Sequence, residues 1–205
     1  MIDQQCPHKI SITEAKEMKL VCRGVVMPPR VAKLPQHQGF PVPFFAAIFD
    51  GVPDFRVADA DKRSLVAIKK LCWICGQKIT YPELFCFIGG PKCMKYHTFG
   101  DGPMHYECAS FSVQVCPYLI HDDAKRASTE KLATKAAEHA SKVVTLPSHT
   151  EEHPTWFYLC QVREYKFHHV PAAGHKVFQV DRYEKIDQWR NGKITKANIK
   201  ESEIV

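Results

Sequence analysis

The chain has 205 residues, 45% of them hydrophobic and 24% charged, with 28 Lys and Arg against 22 Asp and Glu. This is ordinary globular composition, and a chain of this length can bury roughly 70% of its unfolded surface without a covalent staple, so disordered and fibrous readings are excluded. Met1-Ile2-Asp3-Gln4 does not lead into an apolar segment and the longest apolar run, Pro41 to Phe49, is nine residues, so no secretion signal or membrane span is expected and a cytoplasmic location is.

Four segments are expected. In residues 1–71, Pro28, Pro29 and Pro35 block any long element, leaving extended chain or a short strand from Lys19 to Val26. Phe44 to Phe49 reads as a strand, Asp50-Gly51-Val52-Pro53 supplies a turn, and Phe55 to Ala58 returns as the second arm of a hairpin. Asp59 is a good cap for a helix over Asp61 to Leu71, with Leu65, Ile68 and Leu71 on one face. Lys62, Arg63, Lys69 and Lys70 make the densest cationic stretch there, read as a solvated face over an apolar underside. In residues 72–119, Leu84 to Ile88 and Cys93 to Phe99 read as a second hairpin across Gly89-Gly90-Pro91-Lys92. Pro103 then opens a helix that ends near Val115, before Pro117. Residues 120–147 are rich in Ala and Lys and carry only a thin apolar stripe, as an exposed helix or a linker would. Residues 148–205 read as a β-rich unit: strands at Trp156 to Tyr165, Lys176 to Val180 and Lys185 to Arg190, the favoured hairpin turn Asn191-Gly192, and a short helix after Thr195.

Six of the nine cysteines fall between Cys72 and Leu119, and without an export signal thiolate metal ligation is their leading use. Cys72-Trp73-Ile74-Cys75-Gly76 is a two-thiolate knuckle, and Gly76 relieves the backbone just after the turn. His105 and Cys108, three positions apart at a helix start, share a face and can converge on the same ion, and the helix N-terminus favours the Cys108 thiolate. C-x2-C, 29 residues, then H-x2-C specifies one tetrahedral Cys3His zinc site with no open position, which is a structural rather than a catalytic arrangement. Cys86, Cys93, His97 and Cys116 are candidates for a replacement ligand or a second ion. Cys86 shares a strand face with Leu84 and Ile88, as a core cysteine would, and Cys116 lies about two helical turns beyond Cys108.

Knuckle, hairpin and ligands in a helical first turn follow the order of the treble-clef fold. The strings Cys72-Trp-Ile-Cys-Gly76, Pro103-Met-His-Tyr-Glu-Cys-Ala109 and Cys116-Pro-Tyr-Leu119 resemble a family of uncharacterised proteins encoded by bacteriophages and by actinomycetes. Gly39-Phe-Pro-Val-Pro43 and Trp189-Arg-Asn-Gly192 are similar to it too, whereas the Ala/Lys-rich segment looks like an insertion. That resemblance implies a zinc-binding, intracellular, phage-linked protein and no particular reaction.

Three rival chemistries are weaker. An HNH-like nuclease needs a second histidine and an asparagine beside His97, and the only asparagines are Asn191 and Asn198. His149-Thr-Glu-Glu-His153 has the H-x-x-E-H spacing of a zinc peptidase, but Pro147 and Pro154 leave room for one helical turn, and His168, His169 and His175 flank a hairpin loop. Trp73, Tyr106, Phe111 and Tyr118 could stack bases, yet aromatics around a knuckle usually form its miniature core. The expected protein is α+β, a treble-clef-like zinc module flanked by small β-hairpin and β-sheet units and short helices. It is expected to be a non-enzymatic, structural-zinc binding protein for a protein partner such as a host or defence component. The alternative is a nucleic-acid-binding or HNH-like nuclease protein.

Overall fold

The computed structural model describes residues 21–124, 153–170 and 175–204, together with 134, 137, 143 and 144. It is a mixed α+β fold of small antiparallel sheets and short helices. Strands β1 (Val21–Cys22) and β2 (Val25–Val26) form a tight hairpin over Arg23-Gly24, so the expected single strand turns back on itself. A one-turn helix α1 (Pro29–Ala32) begins on proline and is followed by the small hairpin of β3 (Gln36–His37) and β4 (Phe40–Pro41).

β5 (Ala46–Phe49) and β6 (Val52–Asp59) form the expected hairpin around Asp50-Gly51. Asp59 caps α2 (Ala60–Lys69) as expected, its side chain accepting from the Lys62 N–H at 2.9 Å. The face assignment is reversed: Arg63 and Val66 are buried, whereas Leu65 and Ile68 are exposed.

β7 (Phe85–Gly89) forms where expected, but Cys93 to Phe99 is not its hairpin partner. Pro91 sits at the first helical position and opens α3 (Pro91–Tyr96), leaving only β8 (Thr98–Phe99) extended. α4 (Tyr106–Val115) starts three residues later than Pro103, because His105 is its extended N-cap. Pro117 does not end helical structure; it begins a second turn, α5 (Pro117–Ile120), after Cys116 breaks the path with extended dihedrals. Of residues 120–147 only 120–124, 134, 137 and β9 (Val143–Val144) are described, and β9 pairs with β6; the expected helix or linker there otherwise lies outside the described residues.

β10 (Phe157–Val162), β11 (Lys166–Val170), β12 (His175–Gln179), β13 (Lys185–Arg190) and β14 (Lys193–Lys196) complete the sheets, and a 3-10 turn at Glu201–Glu203 closes the chain. Asn191 and Gly192 both have positive φ, as the favoured two-residue hairpin requires. One sheet runs β14-β13-β10-β7 and another β11-β12-β8, so in each a strand of the cysteine-rich segment forms the edge beside strands of the C-terminal segment. One hydrophobic core accordingly extends from Cys22 to Ile199, through Trp73, Phe87, Phe99, Phe111, Tyr158 and Phe178. No described helix is long and apolar enough to cross a membrane.

Candidate metal centre

The knuckle is built by backbone hydrogen bonds. The Gly76 N–H donates to Cys72 O at 2.9 Å and the Cys72 N–H to Gln77 O at 2.7 Å, so the chain doubles back within six residues. Gly76 has φ +72°, and a Cβ there would come within 2.7 Å of the Phe44 ring, so both dihedral and space demand glycine. The knuckle is held from outside as well. The Phe44 N–H donates to Ile74 O, Trp73 stacks on Phe45 at 4.7 Å between centroids, and the Trp73 N–H donates to Pro103 O at 2.7 Å. That last bond ties the first ligand pair to the segment carrying the second.

Met104 is pinned to β7 by reciprocal bonds with Cys86, at 2.9 and 2.8 Å, which fixes where His105 enters the core. His105 caps α4, and its carbonyl accepts from the Ala109 N–H at 3.0 Å; Cys108 then falls in the first turn, where the helix dipole stabilises a thiolate.

Cys72, Cys75, His105 and Cys108 converge, their ligand atoms all within 4.8 Å of one another and all four residues buried. His105 Nδ1 lies 3.4 Å from Cys75 Sγ and 4.0 Å from Cys108 Sγ. A tetrahedral ion with metal–sulfur bonds of about 2.3 Å sets neighbouring ligand atoms about 3.8 Å apart, which this cluster matches. The Cys75 N–H points at Cys72 Sγ at 3.5 Å, a contact that steadies a thiolate.

Three of these groups are pulled far from their ordinary ranges by their neighbours in the cluster. Hydrogen bonds from Cys108 and Cys72 hold the Cys75 thiol far below the ordinary range, and hydrogen bonds to Cys72 and Cys75 push Cys108 far above it. Burial disfavours the His105 cation, yet the Cys72 and Cys75 sulfurs outweigh it and push His105 up to about 10. A cation at the centre of the four atoms resolves this conflict, and the soft thiolates with one imidazole suit a divalent ion of borderline softness.

With Nδ1 facing the sulfurs, His105 Nε2 faces outward, 3.4 Å from Lys78 O and 3.6 Å from Glu83 Oε2. Arg30 in turn binds Glu83 at 2.9 Å and Glu107 at 3.5 Å. Such outer contacts fix the tautomer and orientation of a ligating imidazole. Sequence reading missed Glu83 and Arg30, because they reach the site through separations of 22 and 75 residues that no local motif encodes.

The remaining candidates do not join the cluster. Cys86 is fully buried, and burial pushes its thiol well up, the state of an inert core cysteine. Cys93 sits on α3, and Cys116 caps the far end of α4. His97 lies at the end of α3, stacked on Tyr183 at 4.6 Å and 2.7 Å from Glu201. Among the described residues no other group of three or more His, Cys, Asp or Glu side chains is placed to hold an ion. His149 and Glu152 lie outside the described residues, and the ring of His153 engages Tyr118 O at 2.6 Å through Nε2. Of the four aromatics, Trp73 and Phe111 are core residues, whereas Tyr106 is exposed and donates to Asp187 at 2.8 Å.

In comparisons with protein-family models, curated proteins and solved structures, nothing matched the chain.

Proposed function

We propose that Cys72, Cys75, His105 and Cys108 hold one zinc ion as a closed structural centre, and that the chain is a non-enzymatic binding protein whose zinc-stiffened knuckle presents a surface to a macromolecular partner. The observation that carries this reading is the convergence of four buried donor atoms from a knuckle and a helical first turn, within 4.8 Å of one another. Four protein donors leave no position for water, and three thiolates with an imidazole make the ion a poor Lewis acid. Knuckle, strand and ligand-bearing helix stand in the order of a treble clef, the fold to which we assign the module. The engagement of His97 with Glu201 and Tyr183 weighs against a nuclease base there. On the strength of the Cys72–Gly76 and Pro103–Ala109 strings, we place the chain with the phage and actinomycete family and its partner in the host cytoplasm, where thiolates stay reduced.

Elemental analysis of the purified protein tests the metal assignment, with one zinc per chain expected and its loss expected in Cys72→Ser and Cys108→Ser. Both variants should lose thermal stability in proportion to zinc. A zinc-free variant with the wild-type thermal midpoint and no partner binding would move the metal from structure into function.

A further inference from the structure

The surface beside the metal centre carries cations without acidic partners. Lys69 ends α2, and Lys70 follows it in the left-handed region at φ 56°. The chain then enters the knuckle through Leu71, which bridges antiparallel to Lys78, and the Ile79 N–H donates to Lys70 O at 2.9 Å. Lys70 and Lys78 are thereby brought together on the two arms of the knuckle. All three lysines are exposed, and none has an ion pair among the described residues, whereas Arg30, Arg56, Arg163, Lys166 and Arg190 each have one. The Lys78 backbone is held, its O lying 3.4 Å from His105 Nε2, and the Lys70 ammonium lies over the Phe85 ring, 5.8 Å from its centroid.

Two residues beyond Ile79, Tyr81 is 90% exposed. A turn closed by the Glu83 N–H donating to Thr80 O at 3.0 Å presents it. The carboxylate on this turn, Glu83, points to Arg30 and His105 and so does not neutralise the lysines. Exposed lysines on the knuckle arms and an exposed aromatic ring on the turn that follows suit a strand whose phosphates meet the cations and whose bases stack on the ring. A protein interface is the poorer fit, because lysine is depleted there.

We propose that Lys69, Lys70, Lys78 and Tyr81 form a binding surface for single-stranded nucleic acid on the arms of the knuckle. This rests on the reading of the chain as a binding protein and replaces the protein partner expected from sequence. A duplex hides its base faces from Tyr81, so the single strand is the preferred form.

Fluorescence anisotropy with labelled oligothymidylate, oligouridylate and a mixed-sequence duplex, between about 50 and 200 mM salt, tests it. Both single strands should bind more tightly than the duplex, with a log–log salt slope of about −2 from three phosphate contacts. The tighter of the two identifies DNA or RNA as the natural source. The K69E/K70E/K78E variant should abolish binding. Tyr81→Ala should weaken it about tenfold with the salt slope unchanged, and Tyr81→Phe should restore it.

Unchanged binding by the triple lysine variant, a flat salt response, or a duplex preference indifferent to Tyr81→Ala overturns the proposal. So does capture of a polyglutamate peptide with no oligonucleotide binding, which returns the surface to an acidic protein partner. Zinc content and thermal midpoint are measured on every sample. Zinc-free wild-type protein that binds oligonucleotide through these lysines contradicts the metal reading while supporting this one, and zinc-loaded protein that ignores every oligonucleotide does the reverse.

Discussion

Two polar centres lie buried in the same core and are satisfied in opposite ways. At the Cys72–Cys108 cluster, three sulfurs and a ring nitrogen point inward at one another, and their mutual hydrogen bonds drive Cys75 toward the thiolate and Cys108 toward the thiol. At Arg63, a buried guanidinium fans outward, its Nη2 donating to Gly100 O at 3.1 Å and Lys176 O at 2.6 Å, while its plane lies over Phe167 and Phe178 at 5.0 and 5.4 Å. Burial pushes that guanidinium down to about 10, which still leaves it charged at neutral pH. The first centre converges on a point and calls for a ligand from outside the chain. The second ties α2 to β12 and to the loop after β8 through two carbonyls and two rings of the chain itself, with its buried Nε left without a hydrogen-bond partner among the described residues.

This contrast can be broken most forcefully at the metal side. Cys108→Ala should remove the ion and cost about 5 kcal/mol or more, because metal binding energy is folding energy for the segment it organises. Hydrogen exchange should show loss of protection concentrated in residues 72–116, with the β5–β6 hairpin, which has its own cluster of Ala47, Phe49 and Val57, less affected. Arg63→Met should cost less, about 2 to 3 kcal/mol in chemical denaturation, since it leaves the Gly100 and Lys176 carbonyls without a charged donor. Metal content should remain at one ion per chain in that variant, which separates the two centres.

Smaller changes sharpen the same contrast. Glu83→Gln should lower metal affinity by about tenfold in chelator competition and cost the metal-loaded protein only about 1.4 kcal/mol, because it loosens an outer contact of His105 and not a ligand. His153→Ala should leave metal content unaltered, since its Nε2 already engages Tyr118 O.

The two centres also differ in how far the sequence revealed them. Each half of the metal cluster is a local pair, C-x2-C or H-x2-C, and local spacing dictates which side chains can converge, so all four residues of the cluster were legible. Arg63 was legible only as part of a cationic stretch. Its partners at residues 100, 167, 176 and 178 reach it through the pairing of β12 with β8 and β11, which no periodicity encodes. The same limit governed the fold. The β5–β6 hairpin, the Asp59 cap and the Asn191-Gly192 turn follow from turn and cap chemistry and appear as expected. Cys93 to Phe99 reads as strand-like after a turn-rich tip, but Pro91 in that tip stands at a helical first position and opens α3 instead. The outward turn of Leu65 and Ile68 on α2 reflects the burial of Arg63 and Val66, a tertiary choice that overrides the apolar stripe.

The central claim is that the four converging donors exist to hold a single closed metal ion. X-ray absorption at the zinc edge, on protein purified under reducing conditions and analysed for total metal, tests it most directly. The account predicts one zinc per chain, with a shell of three sulfurs at about 2.3 Å and one nitrogen at about 2.0 Å. A chain that carries no metal, or a shell dominated by oxygen and water, would contradict it.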